Sequence, residues 1–166
     1  MHVQKEPHDT VTRFFHTCAQ IEGLCAELYH FYSSIHHEHE HVSQLWAKTA
    51  LEEENHKKQF ELAFRLRDDV GFDLTVDMDR ITRIYQKVSN LLLHVRQNPP
   101  DIVTALTKAI AMEESLADLH LDNSVRFHDE SIRKMFQALG EFDQDHIKSL
   151  KHCLAVMTLP HSEMVG

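Results

Sequence analysis

TALEEENHKKQF, residues 49–60, places three glutamates in succession and a histidine two residues after the last. Successive residues on an α-helix turn by about 100°, so Glu52, Glu53 and Glu54 cannot share a face. Either one of them joins His56 in binding a metal, or all three belong to the charged face of an amphipathic helix. The stretch is compatible with both readings, and the rest of the chain has to separate them.

The chain has 166 residues, enough for one domain (1–166) with a proper core. Only four glycines and four prolines punctuate it, a profile that implies an all-α protein. A formal net charge of −9 offers no basic stripe for phosphate contacts and excludes a nucleic-acid binder. No apolar run is long enough to span a bilayer, and MHVQKEPHDT at the N-terminus has no signal-peptide core, so no membrane partner is expected. Cys18, Cys25 and Cys153 form no CxxC pair and read as buried thiols of a cytoplasmic protein. Fifteen histidines are the first hint of metal chemistry.

Four long helices are expected, at about 9–35, 42–69, 101–127 and 131–157, with Asp9 and Asp101 as N-caps. Phe14, Cys18, Ile21, Cys25, Leu28, Tyr32 and Ile35 recur at spacings of four and three, the seam of a bundle helix. Gly71 reads as the close of the second helix. Residues 70–100 form a long crossover, and MDRITRIYQKVSNLLLHV within it reads as a further helix. Short links at either end and one long link between helices 2 and 3 match the plan of a ferritin-like four-helix bundle.

An acid three residues before a histidine puts both side chains on one helical face. Composition alone yields roughly two such pairs in this chain. Four occur: Glu27/His30, Glu38/His41, Glu53/His56 and Asp143/His146. A duplication separates them. Glu22, Tyr29, Glu53 and His56 recur as Glu113, His120, Asp143 and His146, offset by 90 or 91 positions. Around the first acid, IEGLCAELYHFY (21–32) and MEESLADLHLDN (112–123) agree at Ala26/Ala117 and Leu28/Leu119. All four acids have apolar helical neighbours. Four carboxylates aimed into one core are costly without compensation, which two divalent cations would supply. Glu22, Glu53, His56, Glu113, Asp143 and His146 are therefore the candidate metal ligands, a di-iron or di-manganese type of set.

On the residues Glu22 with Tyr29, Glu53-Glu54-Asn55-His56, Glu113 and Asp143-Gln144-Asp145-His146, the chain resembles the rubrerythrin branch of the ferritin-like family over essentially its whole length. The resemblance implies two iron ions, with manganese or zinc as alternatives, bridged by Glu53 and Glu113. Glu22 and Asp143 would be terminal carboxylates, with His56 and His146 each completing one ion's shell. Tyr29 and His120 would orient ligands or relay protons. Three departures stand out. The fourth acid is Asp where the family usually has Glu. Leu116 occupies the place of an extra Glu, which puts the family's redox-linked iron movement in doubt. No rubredoxin-like segment follows, so a separate electron donor protein is implied.

The resemblance implies an oxidoreductase that reduces hydrogen peroxide or dioxygen. A ferritin-like ferroxidase or iron-storage protein is the alternative, and a non-redox helical interaction protein is a third reading. A homodimer is expected. Glu52, Glu54 and Glu114 read as solvated or salt-bridged surface acids, the first two dispensable, with Glu54 pairing to Lys58. The cluster SIHHEHEHVS, residues 34–43, reads as a polar turn in which His36, His37, His39 and His41 share no repeated ligand spacing. Cys18 and Cys25 read as small core residues.

Overall fold

The computed structural model describes residues 6–68, 72–74, 77–121 and 125–160, and among these the side chains of 10–68, 77–118 and 128–160. Five helices carry the fold: α1 (Glu6–Ile35), α2 (Glu40–Leu66), α3 (Met78–Gln97), α4 (Ile102–Leu121) and α5 (Glu130–Met157). The expected all-α class holds, and the helix foreseen inside the crossover is α3. No helix among the described residues is long and apolar enough to cross a membrane.

Helix limits follow local chemistry. The α3 cap is Asp77, whose side chain accepts from the Arg80 amide at 3.1 Å. Asn98 closes α3 by donating its amide to His94 O, and Pro99-Pro100 prevents continuation. Asp101 then caps α4 as expected, accepting from Thr104 N at 2.7 Å. Asp129 does the same for α5 through Ile132 N, so that helix begins one residue before the expected Ser131.

Several boundaries differ from expectation. The α1 backbone is already helical at Glu6, which puts Asp9 inside the first turns rather than at the cap. At the other hairpin end, α2 finishes at Leu66 with Arg67 as its C-cap, while Asp69 and Gly71 lie outside the described residues. The helix expected to reach Phe127 stops at Leu121. Asp122-Asn123-Ser124 follow it, side chains that compete with helical hydrogen bonding. Val125–Phe127 instead pairs antiparallel with Phe72–Leu74, Phe72 opposite Phe127. This short ribbon links the α2–α3 and α4–α5 connections.

α1 and α2 form one tightly packed hairpin and α4 and α5 another, with α3 lying on α1. The contacts Glu27–Arg96, at 3.0 Å, and His36–Pro100 run in register, so α3 follows the direction of α1. Ile81, Ile84, Val88, Leu92 and Val95 are its buried stripe, one residue per helical turn.

Two aromatic groups divide the core. Tyr29 stacks on Trp46 at 5.5 Å, and Tyr32 lies 4.9 Å from the same indole. Farther along, Phe60 and Phe15 meet Phe136 at 5.3 and 6.5 Å. In sequence, the buried stripe of α2 reads Trp46, Thr49, Ala50, Glu53, His56, Phe60, Ala63. The polar pair thus occupies the core between the two aromatic groups, where an ordinary helix would bury leucine.

Candidate metal centre

All six candidate ligands are buried: Glu22, Glu53, Glu113 and Asp143 at 1% exposure or less, His56 at 2% and His146 at 5%. Their burial follows from helical period. Glu53 and His56 continue the α2 stripe, and Asp143 and His146 lie between Leu139 and Leu150 on that of α5.

Glu53 is the centre of the arrangement. Its Oε2 lies 3.1 Å from His56 Nδ1, which is also 3.7 Å from Glu22 Oε2. Its other oxygen, Oε1, lies 3.3 Å from His146 Nδ1, which is 4.0 Å from Glu113 Oε2. Two groups of three potential ligands result, Glu22–Glu53–His56 and Glu53–Glu113–His146. They share one carboxylate and use a different oxygen of it. The two imidazoles face each other at 5.8 Å between centroids, inclined by 26°. Asp143 is buried close enough to raise the Glu113 and Cys25 pKa values, but belongs to neither group of three.

Hydrogen bonding within this cluster is incomplete. Glu53 Oε1, Glu113 Oε2 and His146 Nδ1 are buried with no hydrogen-bond partner among the described residues. A neutral polar atom left so costs about 1–3 kcal/mol, and a charged one more. Three such atoms converging on one small region, with oxygen and imidazole as the donor set, fit hard or borderline divalent cations. Four buried carboxylates fit them in charge as well.

The electrostatics of the cluster follow from burial and from the charges its members place on one another. Glu113 is raised well above the usual carboxylate range, first by burial and then by Glu53. Burial disfavours a charged His56, but hydrogen bonds to Glu22 and Glu53 outweigh it and push the imidazole up to about 10. Burial likewise opposes a charged His146; Glu53, then Glu113 and Glu52, lift it to about 9.

Tyr29, expected beside the ligands, is fully buried and donates its hydroxyl to Glu113 Oε1. Burial and then the Glu113 charge hold its pKa well above 10, so the phenol keeps its proton. His120 is on α4, but its side chain lies outside the described residues. Cys18 and Cys25 are buried thiols with raised pKa values, burial being the main cause, which suits core residues and not thiolates. Cys153 is only half-buried.

The flanking glutamates do not behave alike. Glu54 is about half exposed and pairs with His30 across to α1 at 2.7 Å, in place of the expected Lys58 pair. Glu114 is likewise exposed and pairs with Lys151. Glu52, read from sequence as a solvated or salt-bridged flanking acid, is 26% exposed, and its Oε2 accepts from His146 Nε2, a partner the sequence reading does not name. Sequence period misses it because its partner is on another helix, 94 residues away.

In the histidine-rich turn, His36 also departs from the expected polar surface. It is buried at 6% exposure, accepts from Trp46 Nε1 at 3.2 Å and uses Nε2 against Pro100 O at 3.1 Å. That pattern makes it a neutral structural clamp between the turn and the α3–α4 corner. Comparison of the chain with protein-family models, with curated proteins and with solved structures finds no match.

Proposed function

We propose that the chain is a di-iron carboxylate protein of ferritin-like, rubrerythrin type, an oxidoreductase that reduces hydrogen peroxide or dioxygen with electrons from a separate donor protein. The observation that carries this reading is Glu53, fully buried, with one carboxylate oxygen turned to each of two imidazoles in two ligand groups. Glu22 and His56 would hold one ion, Glu113 and His146 the other, and Glu53 both. Asp143, one turn before His146, would join the second ion's shell. Manganese or zinc would fit the same donors.

When bound, a pair of Fe(II) ions supplies the two electrons that, with two protons, convert one peroxide to two waters. The chain's own part is positional. The candidate ligands are buried at 5% exposure or less, which suits small reactants such as peroxide or dioxygen rather than a bulky substrate. The aromatic groups around Trp46 and Phe60 make the surroundings apolar. Tyr29 holds a proton at Glu113 Oε1, beside the site.

Anaerobic loading of the untagged chain with Fe(II) tests the proposal. Elemental analysis is expected to give about two ions per chain, and stopped-flow mixing with peroxide to oxidise them faster than free Fe(II). Binding of fewer than one ion, or oxidation no faster than in buffer, overturns it. Dioxygen in the second syringe, with sizing of the product, separates a peroxidase from a ferroxidase that accumulates mineral.

A further inference from the structure

Glu52 is neither buried in the cluster nor on the open surface, its side chain being 26% exposed. Its Oε2 meets His146 Nε2, on the side of the ring opposite the cluster. Lys48, four residues earlier and itself 74% exposed, lies 3.9 Å from its other oxygen. A carboxylate accepts from Nε2 only when that nitrogen carries a proton. This fixes the ring so that Nδ1 faces Glu53 Oε1 and Glu113 Oε2. A carboxylate behind a ligating imidazole both orients it and strengthens it as a donor.

We propose that Glu52 is a positioning residue for one of the two cations only. It holds His146 in the Nε2–H tautomer, and so makes the Glu53–Glu113–His146 position dependent on a side chain that reaches solvent. The Glu22–Glu53–His56 position does not depend on Glu52. This inference rests on the two-cation reading above and adds that the two positions are inequivalent, with separate means of adjustment. Changing the surroundings of Glu52 changes the affinity of one ion and leaves the other.

The test uses the full chain titrated with Co(II), followed by its visible absorption, in the wild type, Glu52→Gln, Glu52→Ala and Glu54→Gln. The wild type is expected to take up two ions. Glu52→Ala should keep one at wild-type affinity and weaken the other by about 10–100-fold. Glu52→Gln, whose amide oxygen still accepts from Nε2–H, should restore part of that loss, and Glu54→Gln should match the wild type. A second readout needs no variant affinity. In the zinc-loaded chain, the hydrogen-bonded Nε2 proton of His146 should give a downfield imidazole resonance that shifts in Glu52→Gln and disappears in Glu52→Ala.

Equal weakening of both ions, or no weakening in Glu52→Ala, overturns the inference. So does an imidazole spectrum that Glu52 substitutions leave unchanged. A wild type that binds no Co(II) overturns the two-cation reading itself, so the two failures are distinguishable. Circular dichroism of each ion-free variant checks the fold, and the wild-type zinc spectrum still decides the tautomer if Glu52→Ala does not fold.

Discussion

The α1–α2 half of the cluster and the α4–α5 half repeat the same order of residues in different surroundings. In the first, His56 Nδ1 lies between Glu22 and Glu53 in a tightly packed hairpin. In the second, His146 faces Glu53 and Glu113 inward and Glu52 outward, while Asp143 remains outside the group of three. A repeated pattern therefore determines which side chains enter the core, since that depends only on helical period. What each imidazole then contacts depends on the neighbouring helix, which the repeat does not specify. Glu53 belongs to both halves, and so it separates a joint centre from two adjacent ones.

The largest effect should come from that shared residue. Glu53→Ala is expected to abolish both ions, because each group loses a carboxylate and falls to two donors. Metal analysis by mass spectrometry reads this directly, and retention of one tight ion would show that the halves are independent. In the wild type, an ion at a hundred times its Kd stabilises the fold by about 2.7 kcal/mol. Chelation should lower the wild-type Tm accordingly and leave that of Glu53→Ala unmoved.

Next in size are the single-histidine variants, which divide the halves. His56→Ala and His146→Ala should each retain about one ion per chain. If either loses both, binding is sequential and that half must fill first. Isothermal titration with Mn(II), which avoids oxidation, gives the stoichiometry.

The response to pH sharpens the same comparison. An unfolded histidine titrates near 6.5, whereas the ion-free fold holds His56 to about 10 and His146 to about 9. Raised imidazoles stabilise the ion-free fold in full below about pH 6.5 and lose that effect as pH rises through about 9 to 10. Glu113, raised by burial and then Glu53, acts in the same direction, since its folded form resists losing a proton as pH climbs. Metal binding must displace the Nδ1 protons, so affinity should rise with pH, by up to about two log units per pH unit for both ions together. The Tm difference between loaded and ion-free protein should therefore widen between pH 6 and pH 9. A constant difference would mean that neither imidazole is protonated before binding.

The buried tyrosines form a smaller comparison on one helix. Tyr29 donates to Glu113, whereas the Tyr32 hydroxyl is buried with no hydrogen-bond partner among the described residues. Tyr29→Phe should cost about 1–3 kcal/mol, because a buried carboxylate oxygen loses its donor. Tyr32→Phe should be neutral or slightly stabilising, since it removes a buried hydroxyl that donates to nothing. Urea unfolding of the ion-free chains separates the two.

How much was legible in the sequence follows from the range of each cause. The α3 helix was readable because Ile81, Ile84, Val88, Leu92 and Val95 keep one face apolar, and Asp101 because a cap acts within three residues. The six candidate ligands were readable because period carried them inward and the offset of 90 or 91 exposed the accidental pairs. The ribbon was not readable, since pairing Phe72–Leu74 with Val125–Phe127 is a contact between distant connections. Nor was His36, whose burial depends on Trp46 and on Pro100, 64 residues away. The contact of Glu52 with His146 was not readable for the same reason. From α2 alone Glu52 is one of two flanking acids.

Those two acids give the smallest expected effect and the most direct check on how α2 is set. Glu54 and His30 are both about half exposed, and exposed ion pairs contribute roughly 0–1 kcal/mol. Glu54→Ala should therefore bind two ions with unchanged affinity and unfold within about 0.5 kcal/mol of the wild type. Glu52 and Glu54 stand two residues apart, roughly 200° around the helix, so they cannot both lie behind the same imidazole. If Glu54→Ala lost an ion and Glu52→Ala did not, α2 would have to be rotated so that Glu54 rather than Glu52 faced His146. That rotation would carry Glu53 away from His146 and Glu113, and the shared carboxylate with it. A null result at Glu54 is thus a demand of the same geometry that makes Glu53 common to both halves.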